Sequence, residues 1–410
     1  MHTALRYVAA AVFALSSATA AIYAQQNPGA ASDTRSAAGA ASDARPTSGW
    51  VFTPSIGVGG SWDSNVLLAN PGNEPPSDYA TPFSPGASID YLGRRVQFSS
   101  GYEGSFLMYR TLDALNSAQH LGRASLEYRA SRRLKLFADE HFERAPTTDA
   151  LELAGVPFYR VGSRTNASGG GFEAAVARHT TLRGRYTLRD VSFDADPRTA
   201  ANLQGGIEHD VNVSVGHALS STLTVGAEYD LRHEIMTEGL NTFNINTGGV
   251  SVNYIVTPTL SLTGMVGISY LGDGVTHESR VGPAVSAGAA KRTKYVIISG
   301  TYAQSFVPAF GFGGTFQNRA LTGTIHVPFA RARAYAEGSA TRSDNEPIDP
   351  TQPSLVSVWL STTVGYRLSR WLRAEGFYDR TQQSSDRPGS DLNRNQVGFR
   401  FVAAKPVRLR

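Results

Sequence analysis

The chain has 410 residues, no cysteine, 41 glycines, 10% aromatic residues and a formal net charge of +4, with a mean hydropathy of −0.22. Without cysteine there are no disulfides and no thiolate metal sites. A small net charge with no Lys/Arg block excludes a nucleic-acid surface, and beyond the N-terminus no run of about 18 apolar residues exists to form a transmembrane helix.

The N-terminus reads as a secretory signal peptide over residues 1–24. Met1 to Arg6 is short and carries one positive charge. Tyr7 to Ala21 is an apolar and small-residue run with Val8, Val12, Phe13 and Leu15, and small-residue cleavage sites follow Ala20 and Ala24. No cysteine follows, so a lipoprotein anchor is excluded. Residues 25–49 hold a near duplicate, Gly29-Ala30-Ala31-Ser32-Asp33-Thr34-Arg35 and Gly39-Ala40-Ala41-Ser42-Asp43-Ala44-Arg45. Nothing there can build a core, which predicts a flexible periplasmic linker.

From Trp50 the pattern changes to period two. Val96, Phe98, Tyr102, Phe106 and Met108 share one parity. Ile207, Val211, Val213 and Val215 alternate with Glu208, Asp210, Asn212 and Ser214. Leu223, Val225, Ala227, Tyr229 and Leu231 alternate with Thr224, Gly226, Glu228, Asp230 and Arg232. The segments at Leu260–Tyr270, Val356–Leu368 and Val397–Phe401 behave alike. One face apolar and the other polar over about ten residues is what a membrane barrel strand requires.

Connections alternate in kind. Short ones fall at 92–94, 131–132, 179–180, 220–221, 257–258, 291–292, 330–331 and 369–370. Longer polar ones fall at 63–85, 145–160, 192–201, 235–241, 272–279, 307–314, 342–353 and 383–391. Short periplasmic turns and long extracellular loops have this asymmetry. The expectation is an all-β fold, a transmembrane antiparallel up-and-down β-barrel over residues 50–402 with about 18 strands, 16 being the alternative, followed by a periplasmic tail over 403–410. The soluble rivals, a propeller or β-helix, lack a shared repeat motif. Location in the bacterial outer membrane follows, with lipid and the barrel-assembly machinery as partners.

A charged side chain facing lipid at mid-bilayer costs about 2–4 kcal/mol, so parity must send mid-strand charges inward. The pore-lining candidates are Glu103, Arg123, Arg183, Arg185, Arg189, Glu208, Asp210, Glu228, Asp230, Arg232, Arg373 and Glu375. Arg183, Arg185 and Arg189 share one strand, and the next carries Glu208 and Asp210. Opposed basic and acidic walls would create a transverse field; a paired network that fills the lumen is the alternative. Tyr109, Tyr128, Tyr186, Tyr229, Tyr254, Tyr270, Tyr302, Tyr366 and Tyr378 suggest an interfacial girdle.

No GxSxG elbow, HExxH or P-loop occurs. His120, His141, His179, His209, His217, His233, His277 and His326 stand singly, without metal-ligand spacing. The glycines at 169–171 and 311–314 lack the setting of a nucleotide fingerprint, and Ser343 to Glu346 with Asp349 matches no EF-hand. No enzyme activity, cofactor or metal is expected.

Several segments resemble the β-barrel porin family found with exopolysaccharide biosynthesis and secretion operons. These are Pro54 to Val66, with its Asp63-Ser64-Asn65-Val66 turn; Phe83 to Ser88; and Gly365 to Leu372, followed by Asn393 to Phe399. The resemblance implies an outer-membrane channel or scaffold serving exopolysaccharide secretion, with polysaccharide as partner. The residues alone leave open a general diffusion porin for small polar solutes and a non-conducting structural or adhesive barrel. One departure from the family is the tail beyond Phe401, since an aromatic residue there usually ends such chains.

Overall fold

A computed structural model describes residues 49–409 except 71, 73, 152, 196–202, 237–240, 273–278, 331–332 and 388–390. The signal peptide and all but the last residue of the linker lie outside the described residues. The strands in chain order are β1 (Gly49–Asp63), β2 (Asp78–Leu92), β3 (Val96–Tyr109), β4 (Ser117–Arg129), β5 (Leu134–Ala145), β6 (Ser163–Ala175), β7 (Thr180–Phe193), β8 (Gly206–Ala218), β9 (Leu223–Met236), β10 (Thr242–Thr257), β11 (Leu260–Gly272), β12 (Arg280–Arg292), β13 (Ile297–Ala309), β14 (Gly314–Phe329), β15 (Ala334–Pro347), β16 (Leu355–Arg367), β17 (Leu372–Ser385) and β18 (Leu392–Ala404). Each pairs antiparallel with its neighbours in sequence, and β1 pairs with both β2 and β18. The sheet is therefore a closed barrel of 18 strands, as the alternation predicts.

Parity sorts the side chains. Val266 and Ile268 on β11 and Val281 on β12 point outward and are 64–68% exposed, while Ser269 and Ala284, one residue out of phase, are fully buried. An exposed aliphatic surface all round a barrel is a lipid-facing surface. Trp50 and Trp62 lie twelve residues apart on β1. At a strand tilt of about 40° they stand roughly 30 Å apart along the axis, the thickness of a bilayer core.

The strands outrun several predicted boundaries. The connection predicted at 63–85 ends at Asp78, β13 runs to Ala309, and β15 runs to Pro347. Polar residues such as Asp344 and Asn345 mark where the wall leaves lipid, and pairing continues past that point because water or protein solvates the emergent ladder. Pro82 and Pro85 read as loop, yet lie within β2. Their missing donors show as gaps, with β1 losing its partners opposite residues 81–82 and β3 losing its partners opposite 84–85. A connection at 110–116, which the pattern did not separate, joins β3 to β4.

Much of the 403–410 segment is sheet. Ala403 and Ala404 end β18, and β19 (Val407–Leu409) pairs with Trp50, Val51 and Phe52. β1 extends further than β18 at the short-turn end, and the chain beyond Lys405-Pro406 covers that exposed edge. The girdle also needs correction. Tyr109 faces inward and is buried, whereas Tyr186 and Tyr229 face outward at mid-strand. Each of the latter two donates its hydroxyl to, or shares it with, an outward neighbour, His209 and Asn246 respectively.

Val266→Arg, facing lipid in mid-strand, is expected to lower the unfolding free energy by about 2–4 kcal/mol. Thr263→Arg, inward on the same strand, should cost much less. Urea titration of the vesicle-folded barrel measures both.

Candidate functional site

All twelve pore-lining candidates fall on the inward parity, fixed by register. Arg189 opposes Glu208. Asp210 opposes Arg232, and Asn212 opposes Asp230. Arg373 and Glu375 lie on β17, with Arg400 of β18 opposite Glu375. Opposite charges are therefore lateral neighbours and not facing walls, which removes the expected transverse field. Arg189 Nη1 lies 2.9 Å from Glu208 Oε1, and Arg232 Nε lies 3.0 Å from Asp230 Oδ1. Glu375 takes Arg373 and Arg400, each at 2.6 Å, and accepts the Tyr335 hydroxyl. Arg185 reaches across the Gly169 gap on β6 to Asp139 on β5, at 2.6 Å.

On β8 and β9 the exposure of inward side chains falls from the short-turn end to the long-loop end. On β8, Gly216 and Ser214 are half-buried, while Asn212, Asp210 and Glu208 are buried. On β9 the same progression runs from Glu228 to Asp230, Arg232 and Glu234. Glu103 is exposed and Arg123 and Arg183 are half-buried, whereas Arg189 and Glu208, towards the long-loop end, are buried; Glu375, in the short-turn half of β17, is buried among Arg373, Arg400 and Tyr335. The lumen is thus an open vestibule at one end and filled at the other.

The filling is the β5–β6 connection, residues 146–162. It enters the lumen with Leu151, Leu153, Val156 and Phe158 buried. Leu151, Leu153 and Val156 join Val191, Met236, Phe243, Ile245, Leu271, Phe306 and Phe310 in one apolar cluster. Gly155 has a φ of +71°, and a Cβ there would lie 2.4 Å from the Phe316 ring, so only glycine fits at this contact. Phe316 is on β14, nine strands from β5 in a barrel of 18, so the loop crosses the full diameter of the lumen. The β13–β14 tip comes inward to meet it, with Phe306, Phe310 and Phe316 buried.

Polar tethers fix the loop at its far side. Arg394 of β18 is the chief one. Its Nη1 donates to Asp149 Oδ2 of the loop at 2.7 Å, and its Nη2 donates to Asp63 Oδ2 of β1 at 2.7 Å. All three residues are buried, so the guanidinium is held between two carboxylates away from water. Trp359 Nε1 donates to the Asp149 carbonyl, and its ring meets Phe158 edge-on. Gln383 accepts from Phe158 N and donates to the Val156 carbonyl, reading the loop backbone as a paired strand would. Arg160 donates to the carbonyls of Val66 and Leu115 and stacks over Tyr109. Within the loop, Thr148 Oγ1 joins the two limbs by donating to the Pro157 carbonyl and accepting from Tyr159 N.

Two of the segments on which the resemblance was read, around Asp63–Val66 and Asn393–Gln396, meet here. Ser64 N donates to the Asn395 carbonyl, and Ser64 Oγ accepts from Asn395 N. Asn65 closes its own turn through Ala69 and donates to the Asn393 carbonyl. Gln396 Nε2 donates to Asp63. The motifs clasp the seam between first and last strands, and Asp63 with Arg394 extends that clasp to the loop. Parity located the lumen charges but not this loop, because 145–160 reads as an ordinary long connection. The missed signal is Leu151, Leu153, Val156 and Phe158, four large apolar residues in a segment otherwise taken for solvent.

No protein-family model matches the chain, and no curated protein resembles it. Solved structures align with most of the chain at low identity. OccAB4 from Acinetobacter baumannii is 8% identical with a TM-score of 0.46, covering 88% of this chain and 99% of its own. OpdQ from Pseudomonas aeruginosa is 8% identical with a TM-score of 0.44, covering 88% and 98%. The siderophore receptor PirA from Pseudomonas aeruginosa is 11% identical with a TM-score of 0.44, covering 88% and 81%.

Arg394→Ala leaves two buried carboxylates facing each other without their cation. Removing one partner of a buried ion pair costs about 3–5 kcal/mol. The expected outcome is a barrel that stays folded but whose 146–162 loop is cut by protease at least tenfold faster than in the parent, scored by fragment mass.

Proposed function

We propose that this chain is an outer-membrane channel for small polar solutes, held closed by the 146–162 loop. The observation that carries the reading is the placement of that loop. It spans the barrel to the opposite wall and lies above a charged vestibule open at the short-turn end. A structural barrel needs no such vestibule, and its inward charges would be replaceable by packing.

The vestibule suits polar solutes because its walls present both signs at short spacing. Lys135 with Glu173 and Arg185 with Asp139 line one side, and Arg373 and Arg400, held around the buried Glu375, line another. Such a surface replaces water around a polar molecule without selecting a single charge. Exopolysaccharide secretion finds less support. A polymer must thread the whole bore at once, and a loop tethered at Asp149, Val156 and Phe158 blocks that path; the short sequence motifs serve the seam. The outer-membrane location draws support from the outward apolar belt and the alternation of short turns with long connections.

Planar-bilayer recording tests the reading. The parent protein is expected to show rare, small openings. Deleting residues 150–158 should raise the mean conductance at least fivefold. A lack of current at every voltage from both proteins overturns the channel.

A further inference from the structure

The two ends of the barrel treat their exposed cations differently. At the long-loop end, outward arginines meet carboxylates on the same outer surface: Arg144 with Asp194, Arg164 with Asp190, Arg319 with Glu346 and Arg342 with Asp344. At the short-turn end the cations stand in the turns themselves. The β2–β3 turn exposes Arg94 and Arg95, the β4–β5 turn Arg132 and Arg133, and the β6–β7 turn Arg178. The next two turns, at 219–222 and 258–259, carry no charge. Exposed cations then return as Lys294 before β13, Arg333 before β15, Arg370 before β17 and Lys405 after β18.

No carboxylate pairs with any of these turn cations among the described residues. The acids nearest this end, Asp90, Glu127 and Glu173, take the inward parity. There Asp90 accepts from the Ser99 hydroxyl, and Glu173 meets Lys135. The turns therefore form a collar of positive charge that the chain itself leaves unneutralised, interrupted at the two neutral turns.

Aromatic side chains fix the depth of the collar. Trp50 and Tyr91, with ring centroids 4.7 Å apart, lie beside the β2–β3 turn. Tyr128 is exposed just before the β4–β5 turn, and Tyr366 and Trp371 are exposed on either side of Arg370. Tyr295 is exposed beside Lys294, whose ammonium lies 4.6 Å from its ring centre. Tyr and Trp gather at the headgroup level of a bilayer. The turn cations lie within a few residues of these rings, which puts them at the level of lipid phosphates.

We infer that this collar docks the headgroups of anionic phospholipids in the leaflet on the short-turn side. Unpaired basic residues at a membrane surface draw anionic headgroups. The collar reaches round the barrel, with the turns of Arg132 and Lys294 eight strands apart in a ring of 18, and annular lipid is the partner that meets such an arc at every point. A soluble acidic partner would seat over the mouth, where the inward Asp90 and Glu127 oppose it. The collar takes its membrane setting from the reading above and requires no current through the lumen.

Quenching of tryptophan by brominated lipid tests this, with the full barrel folded into vesicles of mixed phosphatidylglycerol and phosphatidylcholine. Trp62→Phe leaves Trp50 and Trp371 as the exposed reporters, both at the short-turn end. Trp50→Phe with Trp371→Phe leaves Trp62 to report the other end. At the short-turn end brominated phosphatidylglycerol is expected to be favoured over brominated phosphatidylcholine by roughly threefold or more in low salt. The preference should fall in about 0.5 M NaCl, and Trp62 should show none. Arg94→Ser, Arg95→Ser, Arg370→Ser and Lys405→Ser together should abolish it, whereas Arg94→Lys, Arg95→Lys and Arg370→Lys together should keep it. Heat-modifiable gel mobility checks folding; if the serine set does not fold, the salt series and the two reporter ends decide. Equal preference at both ends, insensitivity to salt, or a preference that survives in the folded serine set overturns the collar. Capture of soluble polyglutamate by a rim without lipid preference overturns it as well. A barrel that prefers phosphatidylglycerol but never conducts would sink the channel reading and leave the collar standing; current without lipid preference would do the reverse.

Discussion

The structure rests on a backbone constraint. In hydrocarbon no peptide group finds water, so a sheet must close on itself and satisfy every strand from both sides. Closure then fixes parity, because a strand bonded on both edges can point its side chains only to lipid or to the lumen. Ile207, Val211 and Val213 take one direction, and Glu208, Asp210 and Asn212 take the other. The dense lumen charge follows from this sorting, since polar residues excluded from lipid have one place to go.

The sorting also explains why the charges pair sideways. Neighbouring strands lie about 4.8 Å apart, so an Arg opposite a Glu in register meets it more readily than any group across the bore. Arg189 with Glu208, and Arg373 and Arg400 around Glu375, are wall staples first. Where they remain wet they present a mixed surface to solute. Where the 146–162 loop covers them they become the floor of an apolar plug, with Phe243 and Ile245 replacing charge on β10.

Fold and lumen were legible in the sequence to different depths. Period-two patterning is local, and it put all twelve candidate charges on the inward face, because register in a closed sheet cannot slip without turning the apolar face inward; inward Asp63, Glu234 and Arg394 were not among them. Strand ends were less legible, since Asp344 or Pro82 can sit in a ladder wherever the ladder has left lipid or can spare a bond. The loop was illegible for another reason. Its docking depends on partners more than 200 residues away, Trp359, Gln383 and Arg394, and no periodicity encodes a contact across a bore. The Asp63-Ser64-Asn65-Val66 and Asn393-Arg394-Asn395-Gln396 motifs were visible as family features, while their physical work, closing the seam, needed both ends of the chain in one place.

That seam carries a consequence for the order of events as the protein matures. The anchor for Asp149 is built jointly by Asp63, on the first strand, and Arg394, on the last. Until those strands meet, Arg394 has no neighbour to hold it in position and the loop has no complete berth. The full set of anchors is therefore present only in the closed ring. An unfinished barrel exposes a hollow, hydrated interior, and only a finished one can shut it. The ion triad thereby makes one anchor of the loop depend on contact between the first and last strands.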